Sequence, residues 1–242
     1  MGSMERFQME FDEWAATYDE TVAAGSDVFL GYEEVLAAVT AAVAAAPGAS
    51  VTDVGAGTGN LTALLVRQGL RTAAVEPSAG MRAVLARKLP EVEIRPGDFL
   101  HLPDGLPPQA GVVSSFAFHH VAPGQRRRAL RGLGKLLAPS GRLVLADVAF
   151  AGQQHRRRIF SELAAAGRRD LLGNLREEFY PSVDAMLSAL HDAGFRAAAR
   201  QLTPWVWLFS ADPGAEDLGL DLRVARPIRG LRAEGAGGRD AS

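Results

Sequence analysis

Val51-Thr52-Asp53-Val54-Gly55-Ala56-Gly57-Thr58-Gly59-Asn60 is the stretch on which the reading of this chain turns. An apolar run of strand length ends in three alternate glycines, and a helical pattern starts directly after them. Glycine permits positive φ and close approach of a ligand to the backbone, and a helix start presents unpaired N–H donors. Such a turn cradles a nucleotide cofactor. The spacing is D-x-G-x-G-x-G, whereas dinucleotide enzymes use G-x-G-x-x-G to seat a pyrophosphate; Asn60 occupies the place of that pattern's third glycine, which disfavours a nicotinamide cofactor.

Outward from this turn, strand-like runs at 50–54, 72–75, 92–95, 111–115 and 143–146 alternate with helical patterns. Near-continuous apolar strands separated by helices predict a mostly parallel sheet covered on both faces, so the fold class is α/β, a doubly wound three-layer sandwich. Upstream, Phe7, Phe11, Trp14 and Tyr18 recur at helical spacing, and a second helical run over 32–46 stops at Pro47-Gly48. These two leading helices, residues 5–47, read as a lid. Downstream, an insert at 151–181 contains one or two Arg-rich helices over 153–174, and Ser182 caps a helix that stops at Gly194. Runs at 196–202 and 205–211, joined by Thr203-Pro204, suit an antiparallel pair at the sheet edge and complete seven strands. One domain over 5–211 is expected, then a tail at 212–242 of Gly, Ala, Pro and charge.

With 242 residues, 48% of them hydrophobic, the chain suits one domain with a sizeable core. The absence of cysteine removes disulfides, thiolate metal sites and a cysteine nucleophile. Met1-Gly2-Ser3-Met4 looks like a cloning scar, the next residues lack the features of a signal peptide, and no apolar run approaches the roughly 20 residues of a membrane span. A cytoplasmic protein off the membrane is expected. A net charge of -2 creates no field for nucleic acid. Arginine greatly outnumbers lysine, which reads as codon bias, and the runs Arg126 to Arg128 and Arg156 to Arg158 read as solvent-facing helical charge.

Further strand ends carry polar groups suited to a nucleoside. Glu76, after the second strand, places a carboxylate where it accepts from two ribose hydroxyls, or caps the next helix, a role Ser78 also fits. Met81 packs an adenine face or the core. Asp98 ends the third strand, where an acceptor receives the exocyclic amine of adenine while the Phe99 backbone serves the ring.

Taken in order, Asp53 to Gly59, Glu76, Gly97-Asp98 and the 115–120 segment resemble class I S-adenosylmethionine-dependent methyltransferases over roughly residues 5–211. The opening Phe11-x-x-Trp14-Ala15-x-x-Tyr18-Asp19 and Phe118-His119-His120 are similar to a small group of bacterial methyltransferases. The resemblance implies S-adenosylmethionine as cofactor and S-adenosylhomocysteine as product. It implies Asp53 and the Gly55 backbone at the methionine moiety, Gly57 and Gly59 in the same turn, Glu76 at ribose and Asp98 at adenine. Ser115 and Phe116 face the cofactor after strand four, and Tyr18 with Trp14 closes over it or packs between helices.

Methyl transfer is a displacement at a sulfonium carbon, so alignment supplies much of the acceleration, and a base is needed only for a protonated acceptor. His119 and His120 lie beside the expected methyl position; adjacent residues point different ways, so one is the base candidate and the other packs. Glu178 and Tyr180 fall where this fold often builds an acceptor-side lid, or else carry exposed helix-end charge. No metal is expected, since the two histidines are adjacent and no carboxylate pair at a diagnostic spacing accompanies them. The expected function is methyl transfer to a small-molecule N, O or C nucleophile, in specialised metabolism. The alternative is a methyltransferase-fold protein that binds the cofactor or its product without methyl transfer, catalysing another reaction or acting with a partner protein. A homodimer stays open, and nucleic acid is not the expected substrate, because the Asn/Asp-Pro-Pro-aromatic signature is missing at 115–118.

Overall fold

The computed structural model describes residues 11–24, 27–214 and 224–225. Phe7 and most of the tail lie outside them. Strand β1 (Ser50–Val54) is central, with β2 (Arg71–Val75) and β3 (Glu93–Arg95) on one side and β4 (Gln109–Ser115) and β5 (Leu137–Val148) on the other, all parallel. Strands β6 (Phe195–Gln201) and β7 (Val206–Pro213) form the expected antiparallel pair at this end; β7 runs antiparallel to both neighbours and lies between β5 and β6. A two-residue strand, β8 (Val224–Ala225), adds to β6 within the segment read as a tail, because two residues are too short to show a period.

Helices α1 (Tyr18–Ala23), α2 (Tyr32–Val43), α3 (Asn60–Arg67), α4 (Ala79–Lys88), α5 (Arg126–Leu136), α6 (Gln153–Ala165), α7 (Arg169–Glu177) and α8 (Val183–Asp192) complete the architecture. Helix α2 shows how the layers lock: Val35, Leu36, Val39 and Val43, one turn apart, are buried in a core shared with Val51, Val113 and Val144 of the sheet. Gly111 in β4 lets that helix approach, since a Cβ there overlaps the Val43 side chain. Ser78 and Ser182 cap α4 and α8, their hydroxyls accepting from the Met81 N–H (3.0 Å) and the Ala185 N–H (3.2 Å).

Two expectations are corrected. The first leading helix is broken: residues 11–14 are helical, residues 15–17 turn, and α1 restarts at Tyr18. The Thr17 N–H and hydroxyl both turn back to the Trp14 carbonyl, a local alternative to the helical ladder. Arg126 does not face solvent; it is 6% exposed, and its guanidinium donates to the Val121 and Phe179 carbonyls. Sequence charge alone could not reveal that two loop carbonyls await it.

Strand order reverses across β1 and β4, so their carboxyl ends open a crevice, the place where doubly wound sheets bind ligands.

Candidate functional site

At that switch point β1 runs into the glycine turn. Gly55 (φ +73°) and Gly57 (φ +56°) both take left-handed backbone. A Cβ at Gly55 comes within 2.6 Å of the Ala117 Cβ, so the residue is glycine for packing as well as for φ. A Cβ at Gly57 meets nothing within 4 Å, so that residue is backbone facing open space. Gly59 is different again: it packs on the Leu85 side chain of α4 and does not line the cavity.

The cavity above the turn has a volume of about 830 Å³. Of the residues expected at the cofactor, Tyr18, Gly55, Gly57, Glu76 and Met81 line it, as do Asp98, Phe99, Ser115 and Phe116. Asp53 does not reach the lining. It is buried beneath it, Oδ2 accepting from the Thr62 hydroxyl at 2.7 Å and Oδ1 having no hydrogen-bond partner. Burial, with the nearby Glu76 charge adding to it, pushes the Asp53 carboxyl up to about 7.

Glu76 is 5% exposed and clasps the turn: Oε2 accepts from the Gly57 N–H and Oε1 from the Ser78 N–H, both at 2.9 Å. Burial raises its pKa, and these two bonds oppose the rise. Asp98 is fixed by its own loop, Oδ1 accepting from the Leu100 and His101 N–H groups at 2.7 and 2.8 Å. Phe116 has φ of +52°, a conformation costing a non-glycine residue roughly 1–2 kcal/mol; its ring is held in a cluster with Phe29 and Tyr32. Such strain, persisting only where the surroundings impose it, sits at the cavity wall.

The N-terminal segment contributes Phe11 and Tyr18 to the lining and is held to the core by two acidic residues. Asp12 Oδ1 accepts from the Ser78 hydroxyl (2.5 Å) and the Gly80 N–H (2.8 Å), and these bonds lower its pKa. Asp19 accepts from Thr58, Asn60 and Lys88 at 2.6 to 3.0 Å. Phe11 and Tyr32 join the lining, whereas Trp14 does not; its indole N–H donates to Thr21. Sequence reasoning quoted Phe11 and Asp19 as part of a motif and missed Asp12, Tyr32 and Asn60. Asp12 directly follows Phe11 of that motif, but no local pattern shows that it meets the Ser78 hydroxyl and the Gly80 N–H.

The two histidines take different places. His120 lines the cavity; His119, 7% exposed, does not. His119 is held by Asp147 near the end of β5: Oδ2 accepts from its backbone N–H (2.8 Å), and Oδ1 lies 2.7 Å from Nδ1. Sequence reasoning missed Asp147, since nothing in an apolar strand shows which side chain its terminal acid will meet. Glu178 and Tyr180 come in behind the histidines: Glu178 Oε2 is 3.1 Å from His120 Nδ1, and the Tyr180 ring lies 4.7 Å from that of His119. Neither lines the cavity.

His119, His120 and Glu178 also present ligand atoms within 4.8 Å of one another, close enough for a small divalent ion. The sequence argument rested on the lack of a carboxylate pair at a diagnostic spacing; the fold brings one carboxylate, Glu178, to the histidines from 58 residues away.

A doubly wound sheet, a glycine turn clasped by a strand-end acid and a cavity closed at one end by histidine define the class I methyltransferase architecture. A model of the methyltransferase domain matches residues 51–141. The chain is 36% identical over 206 residues to an uncharacterized methyltransferase of Geobacillus kaustophilus, covering 83% of this chain and 94% of that protein. It is 37% identical over 207 residues to the uncharacterized methyltransferase YrrT of Bacillus subtilis, covering 83% and 95%. Among solved structures, the complex of DhpI with S-adenosylhomocysteine is similar with a TM-score of 0.65 at 20% identity, covering 88% of this chain and 98% of that one. The chain belongs to this methyltransferase family. Among the described residues no helix is long and apolar enough to cross a membrane.

Proposed function

We propose that the chain transfers a methyl group from S-adenosylmethionine to a small-molecule N, O or C nucleophile and releases S-adenosylhomocysteine. The observation that carries this reading is one cavity whose lining joins the glycine turn and Glu76 to His120.

The residues present fit the cofactor. Gly57 leaves open space where any side chain would intrude. Each carboxylate oxygen has two acceptor positions, so Glu76, which takes one N–H per oxygen, keeps capacity for two ribose hydroxyls. The unpartnered Asp53 Oδ1 beneath the turn is a buried acceptor that an ammonium group in the cavity would address through water rather than directly. Bound there, S-adenosylmethionine supplies an electrophilic methyl on a positively charged sulfur.

The chain's own residues do the rest. Phe11, Tyr18 and Tyr32 exclude water from the cavity, and the Asp12 and Asp19 bonds hold that lid down. His120 faces the acceptor end, and Glu178 fixes its ring through Nδ1, the arrangement of a base with an orienting carboxylate.

Calorimetry with S-adenosylmethionine and S-adenosylhomocysteine, followed by mass spectrometry of a cell extract incubated with enzyme and cofactor, tests this. Binding of both and a metabolite heavier by one CH2 are expected. Binding without any methylated product supports a cofactor-binding protein that does not transfer methyl, and failure to bind either nucleotide overturns both readings.

A further inference from the structure

Methyl transfer gives no task to the cations of α5. Arg126 turns inward to two loop carbonyls, but Arg127, Arg128, Arg131 and Lys135 are exposed. At 100° per residue these four fall within about 100° of one another around the helix, so they share one face. All four line a groove between α5 and the 99–104 loop. Among the described residues none of the four forms an ion pair; Arg131 donates to the Asp192 carbonyl at 3.1 Å, and the groove's carboxylate, Asp104, is itself exposed. The arrangement works against the helix. A helix N-terminus carries partial positive charge and favours acids, yet the first turn of α5 has no acid and opens on three arginines. The i, i+4 pairs 127/131 and 131/135 repel as well. An anionic partner would relieve both. Between the cations and the loop the floor is apolar, with Leu100, Leu102 and Leu136 half-buried, and the two walls meet at Gly132, where a Cβ would lie 3.4 Å from the Leu102 side chain.

We propose that this groove docks an acidic amphipathic helix of a partner protein, its carboxylates facing Arg127, Arg128, Arg131 and Lys135 and its apolar stripe lying on the leucines. Charge complementarity selects the occupant. From Arg127 to Lys135 the cations extend over about 12 Å, roughly two turns, the span in which a helix laid alongside presents carboxylates at i, i+4 and i+8. The floor decides against nucleic acid. Single strands stack their bases on exposed aromatic rings, whereas Phe99, the aromatic of this groove, is 7% exposed, and a net charge of -2 gives phosphates no long-range attraction. Phe99 also lines the cofactor cavity, so the docked helix would sit beside the loop that carries Asp98. The surface goes beyond the methyl-transfer reading and stands or falls without it.

The test is fluorescence anisotropy of the full chain with a fluorescein-labelled synthetic peptide of leucine and glutamate at helical spacing. The parent should bind it with micromolar affinity, and more weakly as salt rises. Arg127→Glu/Arg128→Glu, at exposed positions, should weaken binding by about 10-fold or more. The same variant should keep its affinity for S-adenosylhomocysteine, with Tm unchanged or raised, because acids suit a helix start. On the peptide, serine for leucine or glutamine for glutamate should weaken binding by a similar factor. A parent that does not bind the peptide, a charge-reversed variant that binds it equally, or indifference to either peptide replacement overturns the proposal. So does a polyuridylate oligonucleotide that binds more tightly than the peptide, since the surface would then serve nucleic acid. The peptide series on the parent protein decides the matter even if the variant does not fold.

Discussion

Two glycines in one turn, two residues apart, should respond differently to the same added methyl group. Gly57→Ala places a Cβ in open space, so the folded chain bears only the cost of left-handed backbone, roughly 1–2 kcal/mol. For a chain of this length that lowers Tm by about 2–8 °C. The same Cβ enters the volume assigned to the cofactor. Overpacking costs about 1–3 kcal/mol, so affinity for S-adenosylhomocysteine should fall by roughly 5- to 150-fold. Gly55→Ala adds to the φ cost a 2.6 Å approach to the Ala117 Cβ, which has no flexible end to swing away. Its destabilisation should reach about 2–5 kcal/mol, with a Tm lowered by about 4–20 °C. Differential scanning calorimetry and isothermal titration on both variants separate the two quantities. If Gly57→Ala binds S-adenosylhomocysteine as the parent does, the turn does not cradle it; if the two variants melt together, the packing argument at Gly55 fails.

Glu76→Gln should weaken cofactor binding by about 1.5–3 kcal/mol and also lower Tm, since an amide cannot accept from both the Gly57 and Ser78 N–H groups; calorimetry with an unchanged Kd refutes the role. Asp53 has a folded pKa raised to about 7, so between pH 4 and 7 the folded state binds more protons than the unfolded one and stability falls as pH rises, by up to roughly 4 kcal/mol. In the nucleotide-free protein, Asp53→Asn should flatten that slope in chemical unfolding measured across this window; an unaltered slope removes Asp53 as its source. Lys88→Met should change Tm little, because its pair with Asp19 is largely exposed, yet should speed S-adenosylhomocysteine release measured by stopped flow and reduce its dependence on salt. Once an acceptor is known, His120→Ala should lower turnover by roughly 10²–10⁴ with cofactor affinity nearly unchanged, whereas wild-type turnover would remove it as the base.

Much of the fold was legible in the chain because parallel strands buried on both faces write themselves as short apolar runs, and the runs at 50–54 and 111–115 fall inside observed strands. The turn was equally legible: alternate glycines followed by a helical pattern are a local feature, and Glu76 directly follows β2, whereas Asp98, read as the end of the third strand, lies in the loop three residues beyond β3. Local signals gave less at the lid, where one helical period concealed a break at residues 15–17, and in the Arg126 run, where like charges hid one that is buried.

What the sequence could not decide was pairing across distance. His119 and His120 are neighbours of the same type, and no pattern around them says that Asp147, 28 residues on, takes the first and Glu178 the second. Those partners are set by the parallel pairing of β4 with β5, which places Ala146 beside Ser115, and by the return of the chain after α7. Secondary structure follows from the local alternation of apolar and polar side chains, but protonation and orientation of a side chain depend on burial and on the charges within a few ångströms, and only the closed tertiary structure brings those charges together.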